Sequence, residues 1–317
     1  MRILPRTAYV AGLALMGALP PAQAAGVCQI GIAQYVCASL SAGPGTSTRP
    51  TAIGNSAQIV GFDGLSRQSF LYSTGFASLP PAAGKTATLA FGANGAGQLA
   101  GYTLETAPGG EKARGFLYNG VGYSFLDAPG AANTYAFDVN AAGKVVGASE
   151  SGGIATGFVY SGGAYTPVSA PGAVATYVYG INDAGMMAGT YVDGGGAVAG
   201  FTFDNGGYTT IAVAGATQTY VRGLNSLGDV VGEYVNSLGT HGFVRLGSGQ
   251  FWTFDVAGAA ATYASAISDS RMVVGYFGNE SSYQGFIASP VPVPLPAALP
   301  LFCAGLALLS RRRAVPR

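Results

Sequence analysis

The sequence predicts an all-β protein, a β-propeller of six blades with four strands in each blade. Three observations lead to this prediction. Phenylalanines recur at intervals of 42 to 46 residues, at Phe70, Phe116, Phe158, Phe201, Phe243 and Phe286. Each interval contains four short β-rich runs separated by turns, and no helical period appears between residues 25 and 290. Four strands in about 40 to 45 residues is the scale of a propeller blade.

The composition agrees with a turn-rich β protein. Of the 317 residues 51 are Gly and only 9% are charged, but 18 Tyr and 16 Phe supply the large apolar side chains that disordered chains lack. Between residues 25 and 290, nine basic residues stand against all 14 acidic ones, which gives a net charge of −5. No basic patch is present, so the sequence argues against nucleic-acid binding.

The N-terminal 24 residues are predicted to be a secretory signal peptide. Arg2 and Arg6 form a charged start, and an apolar core follows from residue 8 to residue 19. Small residues at Ala22 and Ala24 mark the predicted cleavage site. The apolar core is too short to span a membrane as a mature helix.

Cys28 and Cys37 follow directly, in a segment that the signal peptide places in an oxidising compartment. A straight strand would hold their Cα atoms about 30 Å apart, whereas a disulfide needs roughly 4.4–6.8 Å. Two alternatives therefore remain. The segment turns back, at Gly31, and the cysteines bridge, or it runs straight and they stay reduced. We favour the bridge.

Further residues recur in step with the phenylalanines. One series of glycines closes an Asn-x-x-Gly-x-x-x-Gly-like phrase in each copy, at Gly61, Gly101, Gly147, Gly189, Gly232 and Gly275. The asparagines of the phrase are Asn94, Asn140, Asn182 and Asn225, with Asn55 less regular and Ser268 in the last copy. Two shorter series are Tyr135, Tyr177, Tyr220 and Tyr263, and Gly130, Gly172, Gly215 and Gly258. Series that keep register indicate one structural unit repeated six times.

The unit at residues 175–215 illustrates the predicted blade. Its four strands are predicted at residues 176–181, 186–192, 198–203 and 208–213. The first turn, residues 182–185, has Asn at its first position and Gly at its fourth, as a type I turn prefers. The turn at residues 204–207 contains Asn and Gly, which tolerate positive φ in a tight hairpin. The glycines at 194–196 are interpreted as a loop.

The two ends of the repeat region predict how the ring closes. The sixth copy, residues 262–288, supplies only three strands, and an extra apolar segment at residues 27–36 precedes the first copy. This segment is expected to supply the missing strand as a strap, which removes free sheet edges. A straight strap conflicts with the disulfide, whereas a short strap that begins after a bridged hairpin satisfies both.

Two phrases, at residues 180–185 and 156–160, resemble the extracellular HAF-type repeat of exported bacterial proteins over about residues 50–288. The His-Ala-Phe of that family is mostly x-Gly-Phe here, and only His241 keeps the histidine. The resemblance implies architecture and location, and no biochemical activity.

The segment after residue 290 is predicted to be a sorting signal. It contains the motif Val293, Pro294, Leu295, Pro296 and Ala297, an apolar run to residue 309, and a basic stop at Arg311, Arg312 and Arg313. This arrangement resembles a PEP-CTERM sorting signal in its Val-Pro-Leu-Pro-Ala variant, where Leu replaces the usual Glu. The resemblance implies recognition and cutting by an exosortase-type protease after transient membrane insertion. It also implies release to the cell surface of a Gram-negative bacterium by way of the inner membrane, and a link with exopolysaccharide and biofilm.

The alternative for this segment is a plain C-terminal membrane anchor, although the apolar run is short of the roughly 20 residues that a span needs. The predicted organisation is thus a signal peptide at 1–24, a propeller at 25–290 and a sorting signal at 291–317.

No catalytic, cofactor-binding or metal-binding residue is predicted. The single histidine, His241, would have to serve any Ser-His-Asp triad, and no Gly-x-Ser-x-Gly elbow is present. Carboxylates that could pair in glycoside cleavage are Asp127, Asp138, Asp183, Asp229, Glu233, Asp255 and Asp269. Because Asp183 and Asp269 share one turn position, and Asp127 and Asp255 another, turn chemistry is the preferred interpretation. The Tyr series is interpreted as packing rather than sugar stacking.

The sequence therefore predicts a non-enzymatic surface protein whose partners are an exosortase-type protease and exopolysaccharide or other surface proteins. One alternative is a polysaccharide hydrolase or lyase with its site at the central mouth of the propeller. A cluster of carboxylates at the mouth would favour the enzyme, and a mouth of backbone, Ser and Ala would count against it. Another alternative is a carbohydrate-binding module that uses Trp252 or the Tyr series.

Overall fold

The computed structural model describes residues 26–30, 33–43, 47–279 and 282–290, and every element in them is a β-strand. The predicted signal peptide and sorting signal lie outside the described residues.

The strands form six antiparallel blades, of which the first five have four strands each and the sixth has five. Blade one contains β3 (Thr48–Ile53), β4 (Ile59–Asp63), β5 (Gln68–Tyr72) and β6 (Phe76–Ser78). Blade two contains β7 (Ala87–Ala93), β8 (Leu99–Ala107), β9 (Gly110–Tyr118) and β10 (Tyr123–Leu126). Blade three contains β11 (Asn133–Val139), β12 (Val145–Ser151), β13 (Ile154–Ser161) and β14 (Ala164–Val168).

The second half of the ring repeats this order. Blade four contains β15 (Ala173–Ile181), β16 (Met187–Asp193), β17 (Val198–Asp204) and β18 (Gly207–Ile211). Blade five contains β19 (Gln218–Leu224), β20 (Val230–Asn236), β21 (Gly239–Arg245) and β22 (Phe251–Phe254). Blade six contains β23 (Ala261–Ile267), β24 (Val273–Asn279) and β25 (Ser282–Pro290). Its remaining strands come from the N-terminal side, β2 (Ala33–Leu40) and β1 (Gly26–Ile30).

The first strand of each blade lies innermost, and neighbouring inner strands contact one another around the whole ring, with β23 returning to β3. The predicted six-bladed, all-β propeller is thus confirmed. In blade four the observed strands match the four predicted ones to within three residues at each end. The predicted hairpin turn is present, with Asn205 at φ 47° and Gly206 at φ 83°.

The ring closes through β2, which pairs with β25 from Tyr35 opposite Pro290 to Leu40 opposite Gly285. Tyr35 and Leu40 are buried there. The predicted strap is therefore present, but its bounds are corrected. The strap strand covers residues 33–40 rather than 27–36, and β1 folds back on it as a fifth strand.

The N-terminal segment turns back on itself, as the disulfide alternative requires. β1 and β2 pair antiparallel, with the backbone of Cys28 opposite Tyr35 and that of Cys37 opposite Gly26. Cys37 is disulfide-bonded. The side chain of Cys28 lies outside the described part of the structure, so its pairing with Cys37 stays a prediction.

The glycine and phenylalanine series form one cross-strand pair in every blade. In blade four Gly189 on β16 lies opposite Phe201 on β17. A Cβ on Gly189 would lie 2.0 Å from the carbonyl oxygen of Tyr177 and 3.0 Å from the Phe201 ring. The equivalent pairs are Gly61–Phe70, Gly101–Phe116, Gly147–Phe158, Gly232–Phe243 and Gly275–Phe286. The glycine thus lets the ring lie flat on the blade while the backbone of the inner strand passes close by.

A threonine series joins the blades at the other end of each inner strand. In blade four the buried Oγ1 of Thr176 accepts a hydrogen bond of 3.1 Å from the backbone N–H of Ala170, in the crossover loop. The other members are Thr48, Thr88, Thr134, Thr219 and Thr262, each bonded to the residue six positions earlier. The series satisfies one buried backbone donor at each crossover.

Candidate functional site: the central channel

A β-bulge in each inner strand directs one side chain into the central channel. Shortly before the turn to the second strand, the register of every inner strand slips by one residue, which leaves one residue unpaired. β15 slips a second time near its start, at Val174. The six bulge residues near the turn are Thr51, Phe91, Phe137, Tyr179, Arg222 and Ser265. All six line one cavity of about 290 Å³.

This cavity, here called the aromatic chamber, is completed by side chains from the first and second strands. They are Arg49, Phe62, Tyr102, Glu233, Tyr263 and Tyr276. Four of them, at positions 62, 102, 233 and 276, directly follow the glycine of the Gly–Phe pair. The glycine lets the second strand approach the inner strand closely. The side chain that follows the glycine therefore reaches the channel.

Ring contacts connect the wall of the aromatic chamber across several blades. Phe91 stacks on Tyr102 with ring centroids 5.1 Å apart and meets Phe137 edge-on at 5.7 Å. Phe137 in turn packs on Tyr179 at 4.8 Å. Across the chamber, Tyr263 stacks on Tyr276 at 4.7 Å. Such pairs are stabilising beyond their buried area, so the wall is a packed aromatic surface.

An ion pair occupies one side of the aromatic chamber. Arg222 Nε donates to the Glu233 carboxylate at 2.9 Å, and the guanidinium lies 4.8 Å from the Tyr179 ring centroid and 5.0 Å from that of Tyr220. Burial lowers the pKa of Arg222, but the Glu233 carboxylate outweighs this effect, so the pKa is raised overall. Arg222 stays charged, and Glu233 neutralises it.

Arg49, in blade one, lines the chamber without a carboxylate partner among the described residues. Its guanidinium carbon is 4.6 Å from the Tyr283 ring centroid and 5.6 Å from that of Tyr276. Its buried Nε has no hydrogen-bond partner within the described ranges. The cation is therefore held chiefly by aromatic faces.

The channel opens above the aromatic chamber into a second cavity of about 390 Å³, here called the Asn mouth, at the turns between the first and second strands. A chain of side-chain amides surrounds it. Asn94, Asn140, Asn182 and Asn225 each donate from Nδ2 to the backbone carbonyl of the equivalent residue in the next blade, at 2.9–3.2 Å. Between blades one and six, Asn55 exchanges two hydrogen bonds with Asp269. The predicted Asn series thus joins the blades in addition to forming turns.

The carboxylates of the Asn mouth are engaged by backbone N–H groups. Asp183 accepts from Ala141 at 2.7 Å, and Asp269 accepts from Ser226 at 2.8 Å. Both bonds run from one turn to the equivalent turn of the neighbouring blade, in agreement with the turn interpretation. The mouth is therefore neither a cluster of free carboxylates nor a surface of only backbone, Ser and Ala.

Asp138 follows the bulge of blade three, where blades two, four and five carry Gly92, Gly180 and Gly223. Its carboxylate accepts from the N–H of Ile181 at 2.9 Å and of Val139 at 2.8 Å. Burial raises the pKa of Asp138 to about 7, against the lowering effect of these two bonds.

The remaining predicted carboxylates lie elsewhere in the fold. Asp229 is buried and bonds to Arg271, Asn225 and the N–H of Gly247. Asp127 pairs with Arg114 at 2.6 Å. Neither of these two acids lines the aromatic chamber or the Asn mouth among the residues described.

His241 is held by two side chains, with Nδ1 2.9 Å from Asp255 and Nε2 3.1 Å from Asn236. No serine hydroxyl bonds to it among the described residues. The interpretation of His241 as a repeat residue satisfied by hydrogen bonds agrees with this arrangement.

The Tyr series lies against the channel as packing. Tyr135 and Tyr177 stack beside the bulge residues Phe137 and Tyr179, and Tyr220 lies beneath Arg222. Tyr263 alone of the four also lines the aromatic chamber. Trp252 lies on β22, away from the channel, and packs against the core between blades five and six.

The described residues contain neither a metal-binding cluster nor a membrane-spanning helix. No group of three or more His, Cys, Asp or Glu side chains that could hold a metal ion occurs within them. Nor do they include a helix long and apolar enough to cross a membrane. The predicted sorting residues 293–297 and 311–313, and the predicted cleavage residues Ala22 and Ala24, lie outside the described ranges.

The channel residues and the threonine series were not predicted from the sequence, although the spacing of the repeat contains a signal for both. A threonine stands six residues before the turn Asn, or before Ser268 in blade six, and the bulge residue stands three before it. In blade one these distances are seven and four. The bulge positions vary in residue type, so similarity alone does not reveal them.

No protein-family model matches the chain, and no curated protein matches it. Among solved structures, virginiamycin B lyase from Staphylococcus aureus aligns over 80% of this chain and 99% of its own, with 9% identity and a TM-score of 0.47. The β-propeller domain of the Trilobed protease from Pyrococcus furiosus aligns over 83% and 96%, with 8% identity and a TM-score of 0.46. The Aleuria aurantia lectin aligns over 79% and 97%, with 12% identity and a TM-score of 0.43. These likenesses agree with the propeller fold and carry no argument about activity or ligand.

Proposed function

We propose that this protein is an exported, non-enzymatic propeller of the bacterial cell surface, sorted by an exosortase-type protease and associated with exopolysaccharide or biofilm. The observation that carries the proposal is the pair of terminal segments in the sequence. Before the propeller, a charged start is followed by an apolar core and a small-residue cleavage site. After the propeller, the Val-Pro-Leu-Pro-Ala motif is followed by an apolar run and three arginines.

The channel supports the non-enzymatic part of the proposal. Asp183 and Asp269 are committed to backbone N–H groups of neighbouring turns, and Glu233 to Arg222. Hydrolysis of a glycoside by the usual route needs a carboxylic acid and a second carboxylate that both face the sugar. Each of these carboxylates instead serves the fold.

The intact mass of the native protein tests the sorting part. The expected product lacks residues 1–24 and the residues after about Pro294. Changing Pro294 and Pro296 together to Ala is expected to leave the protein in the inner membrane, while Pro292→Ala, just outside the motif, is expected to be processed normally. A native product that retains Arg313 would mean a permanently anchored protein and would contradict the proposal.

The enzymatic alternative is tested with the polysaccharide of the producing cell. The purified protein is expected to release no new reducing or unsaturated sugar ends during long incubation. Release of such ends that Glu233→Gln abolishes would overturn the non-enzymatic assignment.

A further inference from the structure

We propose that the aromatic chamber binds a single uncharged pyranose ring, which enters through the Asn mouth. The inference rests on the proposed surface function only for the source of the sugar, the end of a glycan chain in the surrounding matrix.

The space in the aromatic chamber is asymmetric. The bulge residues of blades two to five are large, namely Phe91, Phe137, Tyr179 and Arg222, whereas those of blades six and one are Ser265 and Thr51. At the bulge positions room therefore remains beside blades six and one, whose other chamber residues are Arg49, Phe62, Tyr263 and Tyr276. A volume of about 290 Å³ lies near the lower end of small-molecule pockets, roughly 300–1,000 Å³. It suits one small ring and not an oligosaccharide.

The walls of this space match a sugar ring. The C–H faces of a pyranose are apolar and pack on aromatic rings, which Phe62, Phe91 and Tyr276 supply around the cavity. A ligand site of mostly apolar walls with a few placed polar groups is the usual design of a small-molecule pocket.

Unpaired hydroxyl groups supply the polar part. Tyr102, Tyr179, Tyr276 and Ser265 line the chamber, and their hydroxyls make no hydrogen bond to another described residue. None of the four hydroxyls is a fully buried unpaired atom, so they are open to the channel. Polar groups inside a protein are normally paired with protein, water or ligand. Hydroxyls both donate and accept, so four of them can match the alternating donors and acceptors of a sugar.

The charges around the channel favour an uncharged ligand. Glu233 already neutralises Arg222, so the chamber retains the single positive charge of Arg49, whose guanidinium lies between tyrosine faces. An anion would first pass Asp183 and Asp269 at the Asn mouth, and a cation would meet Arg49. A charged ligand of either sign therefore meets a like charge, an anion at the Asn mouth and a cation in the aromatic chamber.

Titration of the exported protein with methyl glycosides tests the proposal. The probes are the methyl glycosides of glucose, galactose, mannose and N-acetylglucosamine, with methyl glucuronide as the charged comparison, each followed by calorimetry and saturation-transfer NMR. At least one neutral glycoside is expected to bind with one site per chain. Ser265→Phe fills the open side and is expected to abolish this binding. Ser248→Phe, the same change in the exposed turn between β21 and β22, is expected to leave it intact.

Tyr276→Phe removes one hydroxyl without adding volume and covers the case in which Ser265→Phe fails to fold. It is expected to weaken binding at least about fivefold, because the sugar hydroxyl that bonded to Tyr276 is left without a partner. Absence of binding by every neutral glycoside, or binding that neither Ser265→Phe nor Tyr276→Phe weakens, would overturn the proposal and leave a water-filled channel. Tighter binding of methyl glucuronide would overturn the assignment to an uncharged ring. None of these outcomes depends on the intact mass, so failure of the sorting proposal is recognised separately.

Discussion

Single polar side chains hold the inner strands of this propeller at both ends. At the Asn mouth the amides of Asn140 and Asn182 reach the backbone of the next blade. At the opposite end the hydroxyls of Thr176 and its equivalents accept a hydrogen bond from a backbone N–H of the crossover loop. An unpaired buried backbone group is costly, so each of these side chains stabilises the fold by more than its small size suggests.

Thr176→Val tests the threonine series. The change keeps the shape but leaves the N–H of Ala170 without its acceptor, so we expect the free energy of unfolding to fall by about 1–3 kcal/mol. Thr209→Val, on the exposed face of β18, is the matched control and should change stability by less than about 0.5 kcal/mol. Equal effects of the two changes in urea titrations would show that the bond contributes nothing specific.

Asp138 predicts a dependence of stability on pH. Its carboxyl pKa is raised to about 7 in the folded protein, chiefly by burial, with Asp183 adding to the effect. A carboxyl with a raised folded-state pKa stabilises the fold when protonated. This contribution is fully present below about pH 4, near the unfolded-state pKa, and is lost as the pH rises through about 7.

The measurement compares Asp138→Asn with the native protein at pH 5 and pH 8. The native protein is expected to lose more stability between these values than the variant, by at most about 3 kcal/mol, because only the two pH units below the folded-state pKa of about 7 contribute, at about 1.4 kcal/mol each. Water that reaches the carboxylate from the Asn mouth reduces this upper figure. An identical pH dependence in both proteins would mean that Asp138 is ionised in the fold at pH 5.

The blade is built around one cross-strand pair and one bulge. The Gly–Phe pair between the second and third strands lets the backbone approach closely, and the bulge in the first strand turns a side chain into the channel. The pair is constant in all six blades, while the bulge residue differs. Packing thus fixes the residue types of the Gly–Phe pair, whereas the bulge residue can vary and so determines the shape of the aromatic chamber.

Gly189→Ala tests the close approach. The added Cβ would lie 2.0 Å from the Tyr177 carbonyl oxygen, so we expect a loss of about 1–3 kcal/mol or more from overpacking. Gly194→Ala in the same blade is the control, because nothing lies within 4 Å of its Cβ. Thermal unfolding of both variants measures the difference, and a Gly189→Ala protein as stable as the control would contradict the geometry.

The whole ring depends on its first and last strands. β2 supplies the fourth strand of blade six, so the chain is closed by a non-covalent seam between residues 33–40 and 282–290. Without it β25 would become an exposed edge strand, which is a template for association with other chains.

Deletion of residues 25–42, with the signal peptide kept, tests the seam. We expect the melting temperature to fall by about 10 °C or more, since each lost kcal/mol lowers it by roughly 2–4 °C in a domain of this size. Oligomers should also appear in size-exclusion chromatography. Deletion of residues 291–317 removes none of the described strands and should leave both readouts unchanged. A monomeric, equally stable protein without β2 would contradict the role of the seam.

The sequence by itself determined the number of blades, the four strands of each and the existence of a closing strap. These follow from local rules. Gly189 and Phe201 belong to series spaced by one repeat, and turns such as residues 204–207 carry the residues that their φ angles require. A repeat amplifies such signals because each is observed six times. The strap was misplaced by several residues because β2 is not part of the repeat.

Only the tertiary structure decided which side chains meet in the channel. Phe91, Tyr179, Arg222 and Ser265 are separated by more than 40 residues each and share no residue type. They come together because every inner strand bulges at the same place and the six bulges surround one axis. The spacing of the repeat predicts that six positions converge, but the size and charge of the chamber depend on the residues that do not repeat.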